Sequence, residues 1–304
     1  MPRKLRRWYS MTAVMALILG VGVIAVVRHG TTTVAAAQPR AQAVKSVRLY
    51  VFNLGNIPIN DSKALFAESL ELAPNGCCII VGYLIVHPKG TLMWDTGVVP
   101  DVQLGSGAQQ FQRRGGLTIE PPKRSLKDQL AEIGYSPEDI TYVAFSHLHF
   151  DHVANANAFQ DSTWIVQEAE RDAMFPEEGV DSPERNNYSA LKTSKTIILA
   201  NLDEYDVFGD GAAVIKSAPG HTPGQQVLIV KLPKTGPVML AGDLYHFREE
   251  RAAKIVPRGE PDKKQSLASR ERIEDYIKKR GIPLWIEHDT RLYETLKHSP
   301  GYIE

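Results

Sequence analysis

Cysteine is almost missing from this chain. Its 304 residues hold two, and they are adjacent, Cys77 and Cys78. A pair without spacing supports neither a disulfide framework nor a cysteine metal or redox site. Because they precede the apolar run Ile79-Ile80-Val81, they read as small buried residues at the start of a strand. A basic surplus is missing too. Lys and Arg number 35, as do Asp and Glu, and five of the basic residues fall within positions 1–37, which hold no acid. The remainder therefore carries 30 basic against 35 acidic groups, a net charge of −5. Phosphate backbones are gripped by basic stripes, so nucleic acid is excluded as a partner. There is no internal repeat of solenoid or propeller period. With 43% hydrophobic and 23% charged residues, the composition is that of an ordinary globular chain rather than a disordered or fibrous one.

The N-terminus has its own pattern. Arg3, Lys4, Arg6 and Arg7 form a basic head, Met11 to Val27 is free of charge, and Ala35-Ala36-Ala37 offers a small-residue cleavage site. That order reads as an export signal, and Arg6-Arg7 adds a weak twin-arginine hint. An uncleaved anchor is the alternative, since the apolar run reaches the short end of the roughly 17–25 residues that span a bilayer. Basic residues before the run would keep that end cytoplasmic. Either way the expected location is periplasmic or secreted, or tethered to the inner membrane with the domain facing the periplasm. The expected organisation is a signal or anchor at 1–37, a linker at 38–46 and one domain at 47–304.

Within that domain, short apolar runs are punctuated by Gly, Pro and Asn. Val47–Phe52, Cys78–His87 and Thr91–Asp95 predict antiparallel strands joined by tight turns. Ser125–Ile133 has helical periodicity and stops at Gly134, and Tyr142–Phe145 is a buried strand. A second half follows, with strands near Trp164–Gln167, Val214–Ser217, Val227–Leu232 and Val238–Leu240, a helix over Ser269–Lys279 and a last strand at Leu284–Ile286. Two runs of strands with helices predict an α/β fold of two face-packed sheets with helices outside. Val98–Arg124, Met174–Lys192 and Phe247–Lys264 lack periodicity and are expected to wall a site.

Seven ligand-type residues carry the chemistry, four of them within one six-residue stretch. His147-Leu148-His149-Phe150-Asp151-His152 places four ligand-type side chains directly after a strand. On extended chain, residues two apart face the same way, so His147 and His149 can share one metal. Asp151 and His152 lie past a bend, before a helix expected from Val153, and point to a neighbouring position. Buried imidazoles and carboxylates need partners, which a metal supplies. His221 in Pro219-Gly220-His221-Thr222-Pro223-Gly224, Asp243 after Val238–Gly242, and His288 after Leu284–Glu287 each follow a strand. Alone each could be a turn or cap residue; with the first cluster they complete two metal sites.

This combination resembles the metallo-β-lactamase-fold hydrolases over residues 47–304, which implies a four-layer αββα sandwich. Trp94-Asp95-Thr96-Gly97, Glu287-His288-Asp289 and the ending Ser299-Pro300-Gly301-Tyr302 add a resemblance to the N-acyl-homoserine lactonases. The resemblance implies His147, His149 and His221 on one metal, Asp151, His152 and His288 on the other, and Asp243 bridging both. It places Asp95 near the metal loop as an orienter. Those lactonases carry a tyrosine three residues after the bridging aspartate; here that position is His246, with Tyr245 one residue earlier. Either is a candidate donor to the oxyanion.

The chemistry expected from such a site is ring-opening of a lactone by a hydroxide shared between two zinc ions, with Asp151 carrying the proton to the leaving alkoxide. The donor set also suits Fe, Mn or Co. The implied partner is a small-molecule ester or lactone, N-acyl-homoserine lactones first. Leu104, Phe111, Leu117 and Phe247 are candidate walls for an acyl chain. Phosphotriesterase and thioesterase readings keep the site and change the substrate. A β-lactamase fits less well, since the resemblance does not give those enzymes a bridging Asp. A metal-binding module without catalysis is the alternative of another class.

Overall fold

The computed structural model describes residues 44–59, 78–104, 111–112, 117–177 and 183–304. Residues 1–43, which contain the expected export segment and most of the linker, lie outside the described residues, as does Cys77. Among the described residues no helix is long and apolar enough to cross a membrane.

Strands β1 (Arg48–Asn56), β2 (Ile79–His87) and β3 (Gly90–Trp94) form the antiparallel meander that their apolar runs predict. A small hairpin of β4 (Phe111–Gln112) and β5 (Thr118–Ile119) stands apart. Helix α1 (Leu126–Glu132) begins where the Ser125 side chain accepts the Asp128 N–H at 3.0 Å, a regular N-cap. It leads into β6 (Tyr142–Ala144), β7 (Thr163–Gln167) and β8 (Thr196–Leu199), which add to β3 in parallel. The first sheet therefore has the order β1-β2-β3-β6-β7-β8. The second contains β9 (Glu204–Asp206), β10 (Ala213–Ser217), β11 (Gln226–Leu232), β12 (Gly236–Leu240) and β13 (Leu284–Trp285), in the order β13-β12-β11-β10-β9.

The core shows how these sheets stack. Every residue of β2 is buried, and the two faces of the strand serve different clusters. Val81, Tyr83 and Ile85 meet Ile215, Leu228, Val230 and Leu240 of the second sheet, while Ile80, Leu84 and Val86 pack with Leu126 and Leu130 of α1. Period-two alternation with both faces apolar is what a strand inside a multilayered fold requires. On the far side of the second sheet, Val227, Ile229 and Met239 pack with Ile273 and Ile277 of a long helix (Lys263–Arg280). Helix, sheet, sheet, helix: the four-layer αββα sandwich is the observed fold.

Three local expectations change. The long helix starts six residues before the expected Ser269, because its inward face carries Ser266, Ser269 and Arg270 as well as isoleucines and so shows weak apolar periodicity. Strands β8 and β9, short and partly exposed, carry no clear alternation in sequence. Cys78 is buried at the start of β2 as expected, but its thiol is not free, being disulfide-bonded.

Candidate metal centre

The site lies at one rim of the sandwich, where several strands end. After β6 the chain turns through Ser146 to His149, which caps a one-turn helix, α2 (Phe150–Val153). Asp151 and His152 sit inside that turn rather than before it; a histidine cap gives no sequence signal of the helix start. His221 occupies the loop between β10 and β11, and His288 follows β13. Asp243 follows β12 in a 3-10 turn, Gly242–Leu244. Gly242 has φ 49, and a Cβ there would lie 2.4 Å from the Ser146 Cβ, so only glycine lets this turn press against the β6 loop. The Gln226 N–H donates to the Ser146 carbonyl at 2.9 Å, joining the two sheets at the rim.

All seven predicted ligands converge. His149 Nδ1 lies 2.9 Å from both His147 Nε2 and His221 Nε2. Asp243 Oδ2 is 3.3 Å from His221 Nε2 and 3.7 Å from His147 Nε2. Its other oxygen, Oδ1, is 3.0 Å from His288 Nε2 and 3.3 Å from His152 Nε2. Asp151 Oδ2 lies 3.7 Å from His288 Nε2 and 3.8 Å from His152 Nε2. Two donor groups result, His147–His149–His221–Asp243 and Asp151–His152–His288, with one oxygen of Asp243 toward each. The buried His152 Nε2 and Asp243 Oδ1 have no hydrogen-bond partner among the described residues, which is how atoms reserved for cations look. The residues fit a metal pair.

The outer nitrogens of four histidines are spoken for. His147 Nδ1 meets the Ser146 hydroxyl at 3.0 Å, His152 Nδ1 meets Asp95 Oδ2 at 3.0 Å, and His221 Nδ1 meets Glu260 Oε2 at 3.1 Å. His288 Nδ1 donates to the Ile79 carbonyl at 2.9 Å. Anchored Nδ1 atoms turn Nε2 inward, which is the tautomer and orientation a metal-binding histidine needs. Asp95 thus has the orienting place expected of it; its Oδ1 also accepts the Ser146 N–H at 2.7 Å, and its φ of 57 is strained.

Electrostatics agree. Burial holds His147 well below the usual imidazole range, and burial with the neighbouring His221 brings His149 down to about 4, so both offer lone pairs. Burial would raise Asp243, but the imidazoles of His288, His152 and His147 outweigh it and keep the carboxylate charged. Burial likewise opposes a proton on His152, yet Asp243, Asp95 and Asp151 favour positive charge there. Net negative surroundings of this kind are satisfied by a bound cation.

Of the two oxyanion candidates, the structure brings only His246 to the centre. Its Nε2 lies 3.3 Å from Asp243 Oδ2 and its Nδ1 3.0 Å from Glu250 Oε2. Tyr245 faces away, into the apolar layer between the second sheet and the helix Lys263–Arg280, and lies under the Arg270 guanidinium at 4.6 Å. Among the expected walls, Phe247 is fully buried, and Leu104 and Leu117 pack partly buried against the cluster that holds Leu84, Leu126 and Leu130. The Phe111 side chain lies outside the described residues. Segment 247–264 does border the centre: it contains the helix Arg248–Ala253 with Glu250, and it supplies Glu260. The turn Pro183–Asn187 packs on α2, the helix of Asp151 and His152. Glu170, Glu250 and Glu260, all buried beside the ligands, carry no sequence signal that sets them apart from the solvated glutamates around them.

The metallo-beta-lactamase superfamily model matches residues 75–277, about two thirds of the chain. An N-acyl homoserine lactonase from a Bacillus species is 31% identical over 229 residues, which cover 73% of this chain and 85% of that protein. The chain belongs to the metallo-beta-lactamase superfamily and, within it, to the N-acyl homoserine lactonase family. A second lactonase of the family, AttM of Azorhizobium caulinodans, is 27% identical over 230 residues, 73% of this chain and 86% of that one. The fold matches the solved structure of an N-acyl homoserine lactone hydrolase with N-hexanoyl-L-homoserine bound at its catalytic metal center. That match has a TM-score of 0.70 at 24% identity and covers 86% of this chain and all of the other. AidC, a dizinc quorum-quenching lactonase, shares the fold at TM-score 0.58 and 18% identity, over 87% of this chain and 96% of that one. Of the seven ligands in this family member, His288 alone lies beyond the range of the superfamily model.

Proposed function

We propose that this chain is a dinuclear metal-dependent hydrolase that opens lactone rings, with N-acyl homoserine lactones as its substrate class and zinc as its metal. One observation carries the reading: the two oxygens of Asp243 are divided between two complete sets of ligands. The curated relatives that share the sequence are named for the lactone reaction. Iron, manganese or cobalt would suit the same nitrogen and oxygen donors.

His147, His149, His221 and Asp243 would hold one ion; Asp151, His152, His288 and Asp243 the other. When bound, such a pair acidifies water toward neutral pKa and polarises a carbonyl oxygen. The remaining work belongs to the chain. The side chains of Asp151, His221 and His246 are 11–13% exposed, whereas those of His147, His152, His288 and Asp243 are at most 5% exposed. His149 is likewise only partly buried, so substrate meets the centre on the face formed by His149, Asp151, His221 and His246. There Asp151 would hand a proton to the leaving alkoxide, and His246 would meet the carbonyl oxygen. Metal-loaded protein should open N-acyl homoserine lactones and be slow toward thioesters, phosphotriesters and β-lactams, as followed by acid release and mass of the product. Efficient phosphotriester or thioester cleavage with no lactone opened at any acyl length would refute the substrate class and leave the dinuclear hydrolase.

The basic head, apolar run and Ala35-Ala36-Ala37 support export, with the domain in the periplasm or outside the cell and a tether if the segment is kept. Fractionation of the full chain followed by N-terminal sequencing should find a mature protein starting near Gln38, or an intact chain in the membrane fraction. Intact chain in the soluble cytoplasm would overturn this.

A further inference from the structure

We propose that Glu170 is a positioning residue that assembles the three-histidine half of the metal centre by tying two ligand loops from different sheets to one carboxylate. The proposal rests on the metal reading above and assigns a role to a residue outside the ligand set.

Glu170 lies in the helix Glu168–Met174 that follows β7, and it is 4% exposed. Its Oε1 accepts the Leu148 N–H at 2.6 Å and the Thr222 hydroxyl at 2.9 Å; its Oε2 accepts the Gly224 N–H at 2.8 Å. Leu148 sits between His147 and His149 on the loop leaving the first sheet. Thr222 and Gly224 follow His221 on a loop of the second. Of the three imidazoles held this way, His147 and His221 each bring Nε2 to 2.9 Å from His149 Nδ1. Among the described residues its three donors are two backbone N–H groups and a hydroxyl, with no Lys or Arg; such a buried carboxylate is costly unless each bond is kept, so the bonds fix both loops at once. The approach is built in: a Cβ on residue 224 would lie 2.4 Å from the Glu170 backbone nitrogen, so glycine is required for this loop to reach the helix. Among the described residues the hydrogen bonds of Glu170 all go to these two loops and none to the Asp151–His152–His288 set.

The roles of glue and of positioning separate experimentally. Glu170→Gln is nearly isosteric, but its amide places a donor where one of the three donors must be accepted. Zinc affinity is measured for both sites by competition with a chromophoric chelator, alongside thermal melting and the kcat and KM for a lactone. One of the two binding steps, that of the three-histidine site, should weaken by about 10–100-fold, with the other changed less, and kcat should fall more than KM rises. Thr222→Val, which removes one of the three bonds, should lower the same affinity by about two- to tenfold and serves if Glu170→Gln fails to fold. If either folded variant melts lower yet binds both zinc ions as wild type does, Glu170 is only structural and the proposal is wrong. If the wild-type protein itself binds no metal, the metal reading fails and takes this proposal with it; wild-type binding of two ions with unchanged variants sinks this proposal alone.

Discussion

Asp243→Ala should yield a folded protein that retains neither metal ion at stoichiometric level and loses at least about 10³-fold in turnover, the equivalent of several kcal/mol of metal-derived stabilisation. The reason lies in how its carboxylate is shared. Oδ2 faces the nitrogens of His147 and His221, and Oδ1 faces those of His152 and His288, so one truncation opens both sites. It also strips the anion that opposes positive charge in a cluster of buried imidazoles. A carboxylate that served one site only would leave the other occupied. Elemental analysis after gel filtration distinguishes these outcomes directly. Retention of one full equivalent of metal in Asp243→Ala would mean that the aspartate does not bridge, and undiminished hydrolysis after exhaustive chelation of wild type would remove metal from the chemistry altogether.

The asymmetry between legible and hidden parts of this centre has a physical origin. His147, His149, Asp151 and His152 stand out because four ligand-type side chains in six residues are improbable as core or surface. The fully buried β2 stands out because an unbroken apolar run has no other stable place. Glu170, Glu250 and Glu260 do not stand out. Each is a glutamate among charged neighbours, and its burial depends on which loop folds over it, information that resides in tertiary structure alone. The helix Lys263–Arg280 was readable only in its second half for a related reason: Ser266 and Ser269 face inward to serve the site, Ser266 bonding Glu260 at 2.5 Å and Ser269 bonding the Pro219 carbonyl at 2.7 Å. Function there has taken the place of the apolar residues that periodicity depends on. Even the choice between Tyr245 and His246 was closed to sequence, because it turns on which face of an extended segment looks toward the metals.

That choice leads to the second large effect. Tyr245 has an extended backbone, φ −145 and ψ 140, so its side chain and that of His246 leave the chain on opposite sides. Tyr245 is 4% exposed among Ala241, Leu244, Ile273 and Ile277, and burial, followed by the carboxylate of Glu274, raises its phenol above the usual range. It cannot reach a substrate held at the centre. His246 does reach it, and its ring is fixed from behind: the Glu250 Oε2 accepts the His246 N–H at 2.8 Å and contacts Nδ1 at 3.0 Å, while Glu250 Oε1 is held by Arg270 at 2.5 Å. Burial opposes a proton on this ring, but Glu250 and Asp243 outweigh it and raise the imidazole well above its usual range, so Nε2 also carries a proton and meets a developing oxyanion without reorganising. With metal content matched to wild type, His246→Ala should therefore lower kcat by about 10²–10³-fold, the range for loss of one oxyanion donor. Tyr245→Phe should leave kcat near wild type and cost about 1 kcal/mol of stability in urea unfolding, the usual value of one buried hydroxyl's hydrogen bond. A large loss of kcat in Tyr245→Phe, together with a near-normal His246→Ala, would reverse the assignment and place the tyrosine on the substrate side of the chain during turnover.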